Sequence, residues 1–332
     1  MEMRILQTIN KVPGGLMVVP MFIGMLINTF APNLLKIGGF TQALSGAGYP
    51  TILGMYLFTV GTKMTLNTAP RMLKRGFGIL FAKVGVATFF ALLVAKLFGG
   101  EIWTLSTLAI LVAMSDTNGG LFMALTSAMG DKEDSGTYVP QSIETGPFLT
   151  MIILVGAGLA DIPWWQMVAV IAPIAAGALL GNIDDDIREF FGSREPLIVP
   201  FMGFTLGQTI NLGDVVQGGV AGIGLGLFVL VVTGFVCIVA DKLLGGRGIA
   251  GAAASSTAGN STAVPKAVAL ADPTYAAIAP IATVQVTASF VVTALLTPML
   301  TAWMYRRVHG KAAASGTVGE ELAAPPPAAE TA

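Results

Sequence analysis

Long apolar runs, separated by short charged connections, follow one another along almost the whole chain. A helix needs about 20 apolar residues to cross the hydrocarbon core of a bilayer, fewer where it is partly re-entrant. On that measure the pattern predicts ten spans: about Pro13 to Phe30, Pro50 to Leu66, Phe77 to Phe98, Leu105 to Met129, Tyr138 to Leu159, Trp164 to Leu180, Pro196 to Leu212, Val220 to Val239, Ile249 to Leu270 and Tyr275 to Trp303. Two of these runs are interrupted. The fourth carries Asp116-Thr-Asn-Gly-Gly120 in its middle, and the ninth, made largely of Ala, Gly, Ser and Thr, is broken between Ser255 and Pro265. A carboxylate, amides and adjacent glycines at membrane depth are tolerable only where they line a cavity. Both breaks are therefore expected to form a binding site.

The chain also repeats itself. Phe58-Thr-Val-Gly-Thr-Lys-Met-Thr-Leu66 echoes Phe204-Thr-Leu-Gly-Gln-Thr-Ile-Asn-Leu212, and Lys96-Leu-Phe-Gly-Gly100 echoes Lys242-Leu-Leu-Gly-Gly246 at the same offset. Span two thus matches span seven and three matches eight, and the pairing continues more loosely, with Asn118 of the fourth-span break facing Asn260 of the ninth. Five spans per repeat is an odd number, so the second half is expected to enter the membrane inverted. Inverted repeats with helices broken at corresponding places are the pattern of secondary transporters. On this reading residues 1–160 form the first five-helix repeat, 161–195 open the second with its sixth helix and a connector, and 196–308 complete it. Residues 309–332, rich in Ala and Pro, are expected to be a disordered cytoplasmic tail. The connector Asp184 to Phe191 reads as a solvated link, with a short interfacial helix as the other reading.

Basic residues orient the spans, because cytoplasmic loops collect Lys and Arg. Assigned by parity, one side receives Arg4, Lys11, Arg71, Lys74, Arg75, Lys132, Arg188, Arg194, Lys242, Arg247, Arg306, Arg307 and Lys311, while the other receives Lys36 and Lys96. Both termini are accordingly expected to be cytoplasmic. Lys63, Lys83 and Lys266 fall within spans, with Lys83 near enough to an end for its ammonium to snorkel. Met1 to Gly15 has charges but no short apolar core ending in a small-residue cleavage site, so no removable signal peptide is expected there and the first span is expected to act as its own signal.

Composition narrows the class further. Of 332 residues 54% are hydrophobic and 11% charged, against roughly 25% charged in an ordinary soluble domain, so lipid must solvate most of the surface. The net charge of −1, with no basic stretch interleaved with aromatics, excludes a nucleic-acid platform. Cys237 is the only cysteine and lies in an apolar run, His309 is the only histidine, and no cluster suited to zinc exists. No serine of the ninth span has an activating base beside it. No catalytic residue, metal site or cofactor is expected.

The candidates for chemistry sit at the breaks. Asp116 and Glu144 are the acidic residues placed well inside spans, where burial makes a proton exchangeable; the plainer reading is a structural ion pair with a lysine. Thr117, Asn118, Gly119, Ser255, Ser256, Thr257, Asn260, Ser261 and Lys266 are the expected substrate-binding residues, although hydroxyls also pack helices together.

Several motifs carry a resemblance in order along the chain. Lys11-Val-Pro-Gly-Gly-Leu-Met-Val-Val-Pro20, Asp116-Thr-Asn-Gly-Gly-Leu121, Ser142-Ile-Glu-Thr-Gly-Pro147 with Met151-Ile-Ile-Leu154, Gly181-Asn-Ile-Asp184 with Arg188-Glu-Phe-Phe191, and Ala240-Asp-Lys-Leu243 resemble the bacterial 2-keto-3-deoxygluconate permease family over about residues 4 to 308. The resemblance implies an inner-membrane symporter that imports this sugar acid with protons. It also implies an all-α polytopic fold similar to that of the bile acid and sodium symporters: ten helices in two inverted halves, a panel of helices 1, 2, 6 and 7, and a core in which helices 4 and 9 cross. Asp116, Thr117, Asn118, Gly119 and Glu144 match the family's motifs directly, and Asp116 and Glu144, by their burial, are the expected proton-coupling residues. The competing readings are a sodium-coupled carrier of another small organic anion, because amide and carboxylate oxygens also suit a hard cation, and, from other classes, a channel, a scaffold or a hydrolase.

Overall fold

Almost every apolar run is helical, since a backbone in hydrocarbon can satisfy its polar groups only within itself. The computed structural model describes residues 4–9, 15–45, 48–64, 70–208 and 211–309; the expected tail beyond His309 lies outside them, as do the ends of the repeated motifs at 65–66 and 209–210. In chain order the principal helices are α1 (Gly15–Phe30), α2 (Tyr49–Thr62), α3 (Pro70–Leu97), α4 (Thr107–Ser115), α5 (Gly119–Met129), α6 (Phe148–Gly156), α7 (Trp164–Ile183), α8 (Asp185–Gly192), α9 (Glu195–Gly207), α10 (Leu212–Phe228), α11 (Gly234–Leu243), α12 (Ile249–Ala253), α13 (Val264–Ala271) and α14 (Ala279–His309). A π-helical turn, Val229–Thr233, joins α10 to α11. A two-stranded hairpin, β1 (Glu101–Ile102) with β2 (Leu105–Ser106), precedes α4.

Side chains cap the starts of several helices. The Ser106 hydroxyl accepts from Ala109 N at the start of α4, and Asn211 with Asp214 forms a capping box on α10. Asp184 caps α8, so the connector is a short helix rather than a plain link.

Among the described residues five helices are long and apolar enough to cross a membrane by length and composition: residues 70–97, 107–126 taken across its break, 164–183, 216–243 and 279–309. The remaining expected spans are shorter or interrupted. α1 and residues 196–207 are shorter apolar helices. The run expected from Tyr138 to Leu159 keeps only Phe148–Gly156 as a longer helix, because Gly146 adopts φ 94° just before Pro147. α3 begins at Pro70 rather than at the expected Phe77, so it carries Arg71, Lys74 and Arg75 within its first turns.

The helices pack as two groups. α1 lies along α9 and α2 along α7 and α9, while α14 lies along α10 and α3 packs on α4 and α11. Within the first group the backbones approach at glycines. A Cβ at Gly24, Gly203 or Gly207 would strike the carbonyls of Phe204, Met17 or Met21 across the α1/α9 contact, and one at Gly61, Gly177 or Gly181 those of Ile174, Phe58 or Thr62 across α2/α7.

Candidate functional site

The site begins where α4 stops. Asp116 (φ −110°, ψ 139°) and Asn118 (φ −66°, ψ 96°) are extended, and the Asn118 side chain restarts the helix as the N-cap of α5 by accepting from Leu121 N at 3.1 Å. The ninth run breaks in the same manner: α12 ends at Ala253, and helix resumes only through a 3₁₀ turn, Asn260–Ala263, leading into α13. The two breaks touch. Asn118 N donates to Ser256 Oγ at 3.1 Å, Thr257 Oγ1 donates to Ala113 O at 2.8 Å, and Asn260 Nδ2 and Ser261 Oγ both donate to Asp116 Oδ2 at 2.8 Å. Each interruption thereby supplies partners for backbone or side-chain groups that the other leaves bare.

A third interruption joins them. The segment Tyr138–Gln141, a 3₁₀ turn Ser142–Glu144 and the left-handed Gly146 place Glu144 so that its Oε1 accepts the amide N–H of Thr117 at 2.7 Å. That N–H is one of the donors released by the first break. The sequence signal was Gly146-Pro147, which marks a turn as clearly as the paired glycines of the fourth span do.

Lys83, on α3, is fully buried at the same place rather than snorkelling to an end. Its ammonium donates to the carbonyl oxygens of Asp116 at 3.0 Å, Ala254 at 2.8 Å and Ser256 at 2.7 Å, and lies 2.9 Å from Thr117 Oγ1. The earlier start of α3 explains the difference, because it moves residue 83 from near one end of the helix to its middle. The carboxyl groups are less completely satisfied: Asp116 Oδ1 and Glu144 Oε2 are buried without a hydrogen-bond partner among the described residues.

Beside the crossing lies a cavity of about 1210 Å³. Asn118, Gly119, Gly120, Asn260, Ser142 and Thr145 face it from the broken elements, Met17, Tyr56 and Met202 from α1, α2 and α9, and Lys63 and Ser135 also line it. Of the expected substrate-binding residues, Asn118, Gly119 and Asn260 line this space. Thr117, Ser255, Ser256, Thr257 and Ser261 are buried in the crossing instead, where Thr257 also bonds Ser289 and Thr293 of α14 and Ser255 bonds Ala252 O and lies beside Thr297. Lys266 is brought neither to the cavity nor to the carboxyl pair: it is half-buried on α13, with no side-chain ion pair or hydrogen bond among the described residues. Cys237 is buried, and no group of three or more His, Cys, Asp or Glu side chains placed to hold a metal occurs among the described residues.

At the end of the molecule bearing Arg71 and Arg247, a second buried cluster ties elements together. Arg75 of α3 contacts Asp134 and lies 2.8 Å from Asp241 of α11, whose other oxygen accepts from Gly248 N at 2.9 Å. Arg247 pairs with Asp131 at 2.7 Å and Arg71 with Glu133 at 3.2 Å nearer solvent.

Apolar helices around buried, interrupted polar segments define a multi-pass helical membrane protein. The 2-keto-3-deoxygluconate permease family profile matches residues 6–310, and the chain belongs to that family. It is 48% identical over 306 residues to 2-keto-3-deoxygluconate permease 1 of Salmonella typhimurium, covering 92% of this chain and 96% of the relative. To the 2-keto-3-deoxygluconate permease of Bacillus subtilis it is 40% identical over 317 residues, 93% and 96% of the two chains, and to that of Tolumonas auensis 41% over 333 residues, 97% and 99%. These are permeases, so the chain is a transport protein and not an enzyme.

Proposed function

We propose that the chain imports 2-keto-3-deoxygluconate across the bacterial inner membrane by symport with protons, through alternating access. The relatives' names supply the substrate. The observation that carries the coupling is the state of the two carboxyls: each has one oxygen hydrogen-bonded and one, Asp116 Oδ1 or Glu144 Oε2, buried and unpartnered. A proton on either oxygen removes a charge that burial penalises. With Lys83 balancing one carboxylate, a single proton leaves the trio neutral.

The substrate would occupy the cavity beside the crossing. Gly119 and Gly120 open α5 there, and a helix N-terminus with free N–H groups favours a carboxylate. Asn118 and Asn260 would bond the sugar hydroxyls, and Asn260, which also donates to Asp116, would connect substrate to proton site. The acid's charge would be drawn in by Lys63, which lines the cavity, rather than by Lys266, which does not. Ser135 and Gly136, which also line the cavity, belong to the connection that holds Lys132, and the charge bias assigns that connection to the cytoplasm along with both termini. The cavity therefore reads as the inward-facing state, with ten spans in two inverted halves and the α1, α2, α7 and α9 group acting as panel.

Uptake of labelled 2-keto-3-deoxygluconate into proteoliposomes tests this. An inward proton gradient at fixed sodium should drive accumulation, and an imposed sodium gradient at fixed pH should not. Accumulation that follows sodium alone would transfer the assignment to a sodium-coupled carrier, and passive equilibration would make the protein a channel.

A further inference from the structure

A lysine buried in a membrane protein is ordinarily held by a carboxylate. Lys83 is not: its four contacts, at 2.7 to 3.0 Å, are three backbone carbonyls and one hydroxyl. Both breaks contribute, the first through Asp116 O and Thr117 Oγ1, the second through Ala254 O and Ser256 O. An ammonium has three protons for these four oxygens, so the array is richer in acceptors than the lysine requires. Neutral oxygens from unwound backbone, with carboxylates just beyond, are the donor set that a hard monovalent cation takes. The titratable groups facing Lys83 are Glu144, Cys237 and Asp116, and no side-chain atom of the three is among its four contacts.

We propose that Lys83 is a tethered cation that fills the cation position at the crossing of the two broken helices, and that it thereby makes this carrier independent of sodium. The inference rests on the transport reading given above. Anchored through α3, the charge is present at every salt concentration, whereas a free ion would stabilise the crossing only in proportion to its occupancy. Removal of the side chain leaves the oxygens in place with nothing between them. Sodium is then the expected substitute.

The test uses the full chain purified in detergent, melted at one pH and one ionic strength in sodium chloride or choline chloride, as wild type, Lys83→Ala and Lys83→Gln. Wild type should melt at the same temperature in both salts. Lys83→Ala should melt higher in sodium and bind 2-keto-3-deoxygluconate about tenfold or more tighter there than in choline, with Lys83→Gln between the two. A wild-type melting temperature that rises in sodium overturns the proposal whatever the variants do. So do variants that fold equally well in both salts without a sodium response, or that fold in neither. Melting requires no gradient, so a failure of proton-driven uptake in wild type would remove the symport reading while leaving this result to stand or fall alone.

Discussion

Two buried trios, each of one cation and two carboxylates, hang from the same helix and are built in opposite ways. In the first, Arg75 of α3 contacts Asp134 and Asp241 directly, and the planar guanidinium distributes its donors between them. In the second, Lys83 bonds backbone carbonyls and a hydroxyl, while Asp116 and Glu144 are held by Asn260, Ser261 and the Thr117 amide. The first trio is saturated and clamps α3, α11 and the segment around Asp134 into one body. The second keeps a bare oxygen on each acid. Complete pairing fixes structure; incomplete pairing leaves a place for something to arrive and leave.

Removing the arginine should produce the largest effect. Arg75→Ala strands two buried carboxylates and should cost about 3–5 kcal/mol, read as loss of folded protein in detergent or a sharply lowered melting temperature. A variant that melts like wild type would show that the first trio is not a clamp. Next, Asp116→Asn and Glu144→Gln should each lower proton-driven accumulation at least about tenfold, equivalent to about 1.4 kcal/mol, and shift the melting point far less than Arg75→Ala does. Retention of concentrative uptake in both would remove the second trio from coupling. Asn260→Ala should weaken substrate binding by roughly three- to tenfold, the worth of one hydrogen bond, in a titration calorimeter, and unchanged affinity would place the substrate elsewhere. Lys266→Ala should change uptake by no more than about twofold, as expected of a side chain outside such networks; a larger loss would reopen its place at the site.

Much of this arrangement was legible in the chain. Asp116-Thr-Asn-Gly-Gly120 and the Ser- and Ala-rich ninth run announced their interruptions because polar groups and glycines cannot continue an apolar helix unaided, and the structure brings the two into contact. Glu144 was legible as a buried acid, but not as the partner of the Thr117 amide, which depends on a fold-back at Gly146. Lys83 was misplaced because its depth depends on where α3 begins. The hydropathy pattern discounts Arg71, Lys74 and Arg75 as loop, whereas pairing with Asp134 and Asp241 lets Arg75 stay within a helix. Lys266 is the converse case, a lysine within a span that the cavity's lining does not include: position within a span does not tell which neighbours a side chain will meet. The hydroxyls of Ser255, Ser256, Thr257 and Ser261 were correctly located at the break, yet they bind the crossing itself and leave the cavity to Asn118 and Asn260. Composition cannot distinguish those two uses.

The glycine contacts between α1 and α9 and between α2 and α7 bring the backbones so close that no side chain stands between them. Helices nested so tightly have no room for a side chain to enter between them. A methyl group at Gly177, facing the backbone of Phe58 across the α2/α7 contact, would act as a wedge and spread those helices.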